Sequence, residues 1–177
     1  MPRPPKLLDQ EGLMNYAARA LSARALSQGE LRDRLKRRAA LQSDVPEVLS
    51  RLKQAGFLND RTLADSFASL RRDNQGLGKA RVVRDLMTRR VAPAIAKQAV
   101  DAAYAETDEI VLIENFLQRK YRGKNLGELL KEEKNLGSAF RKLRGAGFSA
   151  GNSIGVLKRY AAEADRLEDM EEPDAGD

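Results

Sequence analysis

The sequence contains no cysteine, no histidine and no tryptophan. The first two absences exclude disulfides, thiolate and imidazole metal sites, a cysteine nucleophile and any Ser-His-Asp triad. Aromatic residues make up only 5% of the chain, so its core must be built from Leu, Ala, Val and Ile. No run of about 18 apolar residues is present, so no segment reads as a membrane-spanning helix. The N-terminal Met1-Pro2-Arg3-Pro4-Pro5-Lys6 lacks the apolar stretch of a secretory signal. A reduced, cytoplasmic setting is the expectation. The six prolines lie in that lead and at Pro46, Pro93 and Pro173, where none interrupts an apolar helical pattern.

Charge is abundant. Of 177 residues, 33% are charged and the net charge is +6, against a usual charged fraction of about 25%. From Glu163 to the end there are eight acids and one base, whereas residues 1–162 carry 31 bases and 18 acids. A basic body with an acidic tail points to a polyanion or an acidic protein surface as partner.

Apolar spacing reads as helix after helix, with no alternating strand and no Asn-Gly or Asp-Gly hairpin turn. A first helix over about Asp9–Ala23 places Leu13, Ala17, Ala20 and Leu21 on one face. Ser27-Gln28-Gly29-Glu30 is a capping box that opens a second helix, with Leu31 and Leu35 as its stripe. Asp44-Val45-Pro46-Glu47 reads as another capping box, opening a third helix that buries Val45, Val48, Leu49 and Leu52 and stops at Gly56. Further stripes are Leu63, Phe67 and Leu70; Val82, Val83 and Leu86; and Ile95 with Ala99. They continue with Ile110, Ile113, Phe116 and Leu117; Ala139, Phe140 and Leu143; and Ile154, Leu157 and Ala161. Residues 122–134 read as a linker with a short helical turn.

The pattern repeats. Leu31 and Leu35 correspond to Val82 and Leu86 at an offset of 51, and Pro46 and Val48 to Pro93 and Ile95 at an offset of 47. Leu13 and Ala17 align with Leu63 and Phe67, and these with Leu112 and Phe116. The expectation is an all-α chain of three tandem three-helix-bundle repeats forming an elongated, curved body. The repeats would cover 9–56, 57–105 and 106–165, between a flexible lead at 1–8 and an acidic tail at 166–177.

No catalytic constellation emerges. Gly76-Leu77-Gly78-Lys79-Ala80 invites a phosphate-loop reading, but Asp73 stands where the first glycine belongs and Ala80 where Ser or Thr belongs. A dinucleotide motif fails because Arg81 replaces its third glycine. The carboxylate pairs Glu132-Glu133, Glu168-Asp169 and Glu171-Glu172 lie in the most polar stretches, without the dry environments that acid–base work needs. Neither a cofactor nor a metal is implied.

Three basic clusters remain, and long cations on exposed helix faces suit phosphate contact. The first holds Arg32, Arg34, Lys36, Arg37 and Arg38. The second holds Arg71, Arg72, Lys79, Arg81, Arg84, Arg89 and Arg90, and the third Arg119, Lys120, Arg122 and Lys124 around Tyr121. Tyr121 reads as closing the core at the end of its helix, with base stacking as the alternative. From these the expected partner- and DNA-binding residues are Arg32, Lys36, Arg37, Arg71, Arg72, Lys79, Arg81, Arg84, Arg89, Arg90, Arg119 and Lys120.

Three segments in order resemble the RecX family, bacterial regulators of the RecA recombinase. They are Leu26-Ser27-Gln28-Gly29-Glu30-Leu31-Arg32-Asp33-Arg34-Leu35-Lys36-Arg37-Arg38, Leu52-Lys53-Gln54-Ala55-Gly56-Phe57-Leu58-Asn59-Asp60 running on through Leu63-Ala64-Asp65-Ser66-Phe67, and Gly76-Leu77-Gly78-Lys79-Ala80-Arg81-Val82-Val83-Arg84-Asp85-Leu86. The last third matches only in helix pattern and in Gly147-Phe148. The family's usual Asp-Asp-x-Arg-Phe-Ala is here Asn59-Asp60-Arg61-Thr62-Leu63-Ala64, with Leu63 keeping the core position. The resemblance implies three tandem three-helix repeats and a non-enzymatic, cytoplasmic monomer. It would bind a RecA-type recombinase and its DNA filament, contact single- or double-stranded DNA through phosphates, and limit filament assembly in recombination, DNA repair and the SOS response. Two alternatives stand beside it: a basic helical DNA-binding protein with another role, and a helical-repeat scaffold for a protein partner.

Overall fold

The structure, a computed structural model, describes residues 7–161 together with Ala164 and Leu167. Apart from Leu167, the acidic tail at 166–177 therefore lies outside the described residues, as does most of the N-terminal lead. Those described form ten α-helices, with one isolated backbone bridge between Leu8 and Ala39. The helices are α1 Gln10–Ala23, α2 Gln28–Lys36, α3 Asp44–Gln54, α4 Asp60–Leu70, α5 Lys79–Thr88, α6 Pro93–Ala103, α7 Glu109–Lys120, α8 Leu126–Leu129, α9 Glu133–Gly145 and α10 Ala150–Leu157. The all-helical expectation holds, and α8 is the short helical turn expected within 122–134.

Local chemistry sets several ends. Asp9 accepts from the Gly12 N–H at 2.9 Å and starts α1. Ser27 accepts from the Glu30 N–H while Glu30 accepts from the Ser27 N–H, each at 2.9 Å, so the first capping box forms as read. The second does not. Helix α3 begins at Asp44 itself, after Ser43, with no side-chain cap. Its first donors are already taken, because the Asp44 N–H bonds Leu41 O at 3.2 Å and the Val45 N–H bonds Gln42 O at 3.3 Å. Gly56 ends α3 at φ +78°. Helix α4 runs on into a π-helical turn, Arg71–Gln75, which Gly76 closes in the left-handed region.

The chain divides into two compact units. Among the described residues, the first takes those up to Phe67 and Asp85–Val100; the second takes Ala68–Arg84 and those from Asp101 onward. The first unit's core is Leu13, Ala17, Leu31, Leu35, Val45, Val48, Leu49, Leu52 and Leu58, with Leu26 and Ala39. The second unit is built around Ile113, Leu117, Leu136, Phe140, Leu143, Phe148, Ile154 and Leu157, among others. Phe116 and Phe148 meet there edge to face, with centroids 5.6 Å apart.

Two stripes differ from expectation. On α4 the fully buried residues are Ala64 and Ala68. Leu63 and Phe67 are half-buried beside them, and Leu70 is exposed. On α6 the buried set is Ala96, Ala99 and Val100, with Ile95 at its margin. On α4 small alanines take the line of closest packing and the larger residues flank it, whereas on α6 Ala99 is buried as expected and Ala96 and Val100 join it in place of Ile95. A reading weighted towards bulky residues turns the stripe by one position.

Candidate nucleic-acid interface

The first cluster stands mostly on the outside of α2. Leu31 and Leu35 are buried, so Arg32 and Lys36, each one position on, share an exposed face, and Arg37 follows them. Arg38 turns back, its guanidinium 5.1 Å above the Tyr16 ring.

The second cluster is divided between the units. In the first unit, Arg89 is engaged in structure. It bonds Glu30 at 3.1 Å and Ala25 O at 2.8 Å, and lies 5.5 Å above the Phe67 ring. Burial works to raise the Glu30 pKa, but the bonds from Arg89 and the Ser27 N–H outweigh it, and the carboxyl is held below its ordinary range. Arg90, exposed, adopts φ +61° and reaches Asp33 at 3.5 Å.

In the second unit, Lys79 pairs with Asp101 at 3.8 Å and Arg81 reaches Gly145 O at 3.3 Å. Arg84 is exposed. The glycine-rich turn before α5 leaves no room for a nucleotide phosphate. The Gly78 N–H bonds Ala146 O at 2.9 Å and the Ala80 N–H bonds Gly147 O at 3.2 Å, so these amides face the end of α9. A Cβ on Gly78 would sit 2.2 Å from Gly147 O, and one on Gly147 would sit 2.2 Å from Arg81 N. The turn is a seam between two backbones.

Arg71, Arg72, Arg119 and Lys120 also belong to the second unit. Arg71 donates to Gln75 Oε1 at 2.5 Å. Arg72 pairs with Asp73 at 2.7 Å and donates to Ala103 O. Arg119 donates to Gln75 O at 2.9 Å. Lys120 is exposed. Residues of the second and third clusters thus meet at a cleft of about 600 Å³, lined by Arg72, Asp73, Gly76, Leu112, Asn115, Gln118, Arg119 and Arg122. Asn115 and Gln118 line this cleft and were not among the expected contact residues. The spacing 115, 118, 119, 122 marks one helical face and could have found them.

Tyr121 packs against the second core, with the Lys142 ammonium 5.0 Å above its ring. This agrees with its reading as a core-closing residue. Thr62 is exposed, and its N–H bonds Asn59 Oδ1 at 3.1 Å. Among the described residues no cluster of three or more acids fits a metal ion, and no helix is long and apolar enough to cross a membrane.

The chain is 30% identical over 155 residues to regulatory protein RecX of Amycolatopsis mediterranei, a match spanning 84% of this chain and 85% of that protein. The chain belongs to the RecX family. It is 32% identical over 120 residues to the RecX of Deinococcus radiodurans, covering 67% of this chain but 57% of the length of that relative. The crystal structure of RecX from Lactobacillus salivarius superposes with a TM-score of 0.66 at 17% identity, covering 85% of this chain and 96% of that one. A second RecX crystal structure gives 0.64 at 16% identity, covering 83% and 70%. At those identities the likeness speaks for the fold. No family model matches the chain. RecX relatives are named as regulatory proteins, and that is the class to which this chain belongs.

Proposed function

We propose that the chain is a non-enzymatic regulator that binds a RecA-type recombinase and its DNA filament, limiting filament assembly and the ATPase that accompanies it. The observation that carries this reading is the RecX match along most of both chains. The surface supports it. Exposed cations stand on α2 (Arg32, Lys36, Arg37), on α5 (Arg81, Arg84) and at the end of α7 (Lys120, Arg122). Such side chains give many modest contacts to phosphate or to an acidic protein, and steer encounter more than they fix sequence. Arg89 is left out of the contact set, because Glu30, Ala25 and Phe67 already occupy its guanidinium.

We also read the chain as three three-helix repeats over 9–56, 57–105 and 106–165. The start of α2 meets the end of α5 through Ser27 and Arg89, and the start of α5 meets the end of α9 through Gly78 and Ala146. One type of junction thus recurs along the chain.

The test is the single-stranded-DNA-dependent ATPase of the matching RecA, with this protein added at substoichiometric ratios. A fall in turnover is expected, and the Arg81→Glu/Arg84→Glu variant should relieve it with helicity unchanged. No effect on the ATPase, with DNA binding intact, refutes the regulatory reading and leaves a DNA-binding protein of another role.

A further inference from the structure

The cleft in the second unit is assembled from two segments that the sequence keeps far apart. One wall is α7 and the turn after it, where Asn115, Gln118, Arg119 and Arg122 recur on one face above Leu112. The other wall is the π-helical turn, which carries Arg72 and Asp73 and ends at Gly76. Single π-turns are rare and occur often at functional sites. This one has a geometric consequence. Gly76 sits at φ +55°, and a Cβ there would lie 2.4 Å from Arg119 Nη2. The glycine therefore both closes the turn and leaves the Arg119 guanidinium its place against the backbone.

Two of the three guanidiniums are held in place. Arg119 donates to Gln75 O at 2.9 Å, and Arg72 donates to Ala103 O. These anchors are neutral carbonyls, which fix orientation without cancelling charge. Among the lining residues three guanidiniums face one carboxylate, Asp73, which bonds Arg72 through both oxygens, at 2.7 and 3.2 Å. A guanidinium recognises a phosphate with the same fork it offers a carboxylate. The Asn115 and Gln118 amides supply uncharged donors on the same face.

We propose that this cleft is a phosphate-binding seat: Arg72, Arg119 and Arg122 take the oxyanion, and Asp73 is a built-in competitor that the phosphate displaces from Arg72. The proposal deepens the nucleic-acid part of the function proposed above, and rests on it only for the source of the phosphate. That source is either the backbone of DNA or the phosphates of a free nucleotide.

The experiment uses the full chain and a labelled oligothymidine, titrated over a range of salt concentrations, with helicity checked by circular dichroism. Arg122→Gln and Gln118→Glu change exposed positions of the cleft. Each is expected to weaken binding about 5–10-fold at low salt, and Arg122→Gln should also lower the log–log salt slope by about 0.7, one phosphate contact on a single strand. Asp73→Asn is expected to tighten binding about threefold, because Arg72 loses its internal anion. Lys53→Gln removes an exposed charge from α3, in the first unit, and should stay within about twofold of wild type.

ATP is then added as competitor. Displacement of the oligonucleotide with the same ranking of variants identifies a free nucleotide as the source. No displacement identifies the DNA backbone. The seat is refuted if all three cleft variants bind as wild type does, if Lys53→Gln loses as much as Arg122→Gln, or if neither oligonucleotide nor ATP binds the wild type. A protein that leaves the RecA ATPase unchanged but shows the expected ranking keeps the seat and loses the regulatory reading. An ATPase effect that survives all the cleft variants, with unaltered DNA binding, loses the seat alone.

Discussion

Replacing Gly78 or Gly147 by alanine attacks the closest backbone approach in the second unit, and the cost follows from the geometry. The new Cβ on Gly78 would meet Gly147 O at 2.2 Å, Gly147 C at 2.3 Å and Phe148 N at 2.5 Å. All three are backbone atoms, so no side chain can swing away. Relief requires the two segments to part by more than 1 Å, judged against ordinary van der Waals contact at 3.4–4 Å. Such a movement breaks the bonds Gly78 N–H to Ala146 O and Ala80 N–H to Gly147 O, at 2.9 and 3.2 Å. Two lost bonds cost about 1–3 kcal/mol, and any donor left buried adds to this.

Gly147 adds a second penalty. Its φ of +91° is unfavourable for a residue with a Cβ, by about 1–2 kcal/mol. Gly78→Ala is therefore expected to cost about 2–4 kcal/mol and Gly147→Ala about 3–5 kcal/mol. Two controls separate the causes. Gly56 has φ +78° and open space around it, so Gly56→Ala should cost only the backbone part, about 1–2 kcal/mol. Gly145 closes α9 with nothing within 4 Å, and Gly145→Ala should be neutral or stabilise by up to about 1 kcal/mol. The assay is urea unfolding followed by circular dichroism, with the double variant included. Because one separation relieves both clashes, Gly78→Ala/Gly147→Ala should cost less than the two single effects added. A Gly78→Ala protein as stable as Gly145→Ala would refute the seam.

Phe67 is half-buried under Arg89, so Phe67→Ala should cost clearly less than the roughly 3–5 kcal/mol of a fully buried phenylalanine; a larger loss in thermal melts would restore it to the core. Glu30 and Glu109 both lie below their ordinary pKa of 4.5. In Glu109 burial raises the value, but bonds from the Ser149 hydroxyl and N–H and from Asn152 outweigh it. A depressed pKa contributes stability that is present above the unfolded value and lost as pH falls through the folded one. Acid unfolding should therefore steepen below about pH 4.5, and Glu109→Gln should flatten it; an unchanged acid limb in that variant would contradict the assignment. Arg90 holds φ +61° without being glycine, so Arg90→Gly should leave the protein as stable or up to about 1 kcal/mol more stable in urea.

Local rules made much of the fold legible. Leu31 and Leu35 are buried as a four-residue stripe predicts, Ser27 and Glu30 form their reciprocal cap, and Gly56 takes its left-handed stop. These depend on neighbours within four residues, which the sequence displays directly. The stripe on α4 was read one position off, because Ala64 and Ala68 are small and their burial depends on what packs against them. The cap at Asp44 was misplaced because the Asp44 N–H, which Glu47 would take in a capping box, already bonds Leu41 O in the preceding turn. The basic clusters were visible as clusters, but their allegiance was not. Arg89 is committed to Glu30, 59 positions away, and Arg72 shares a cleft with Arg119 and Arg122. Spacing along the chain shows which cations share a helix face; it does not show which of them have a carboxylate or carbonyl waiting from another helix.

The glycine-rich motif illustrates the same division of labour. Read locally, Gly76-Leu77-Gly78-Lys79 offers amides to a phosphate, and the flanking residues already argue against that. The structure assigns each glycine a different constraint. Gly76 provides the left-handed turn and the space beside Arg119, while Gly78 provides contact with the backbone at Gly147. In the first unit the comparable seam joins Gly29 to Arg90, where a Cβ on Gly29 would lie 2.3 Å from Arg90 Cβ and 2.6 Å from Arg90 O. Both seams set a glycine from the start of one helix against a left-handed residue just beyond the end of another, Arg90 or Gly147. A stripe of leucines can slide or be replaced by other apolar residues of similar volume. A backbone seam tolerates only the absence of a side chain, so it fixes the register in which α2 meets the end of α5 and α5 meets the end of α9.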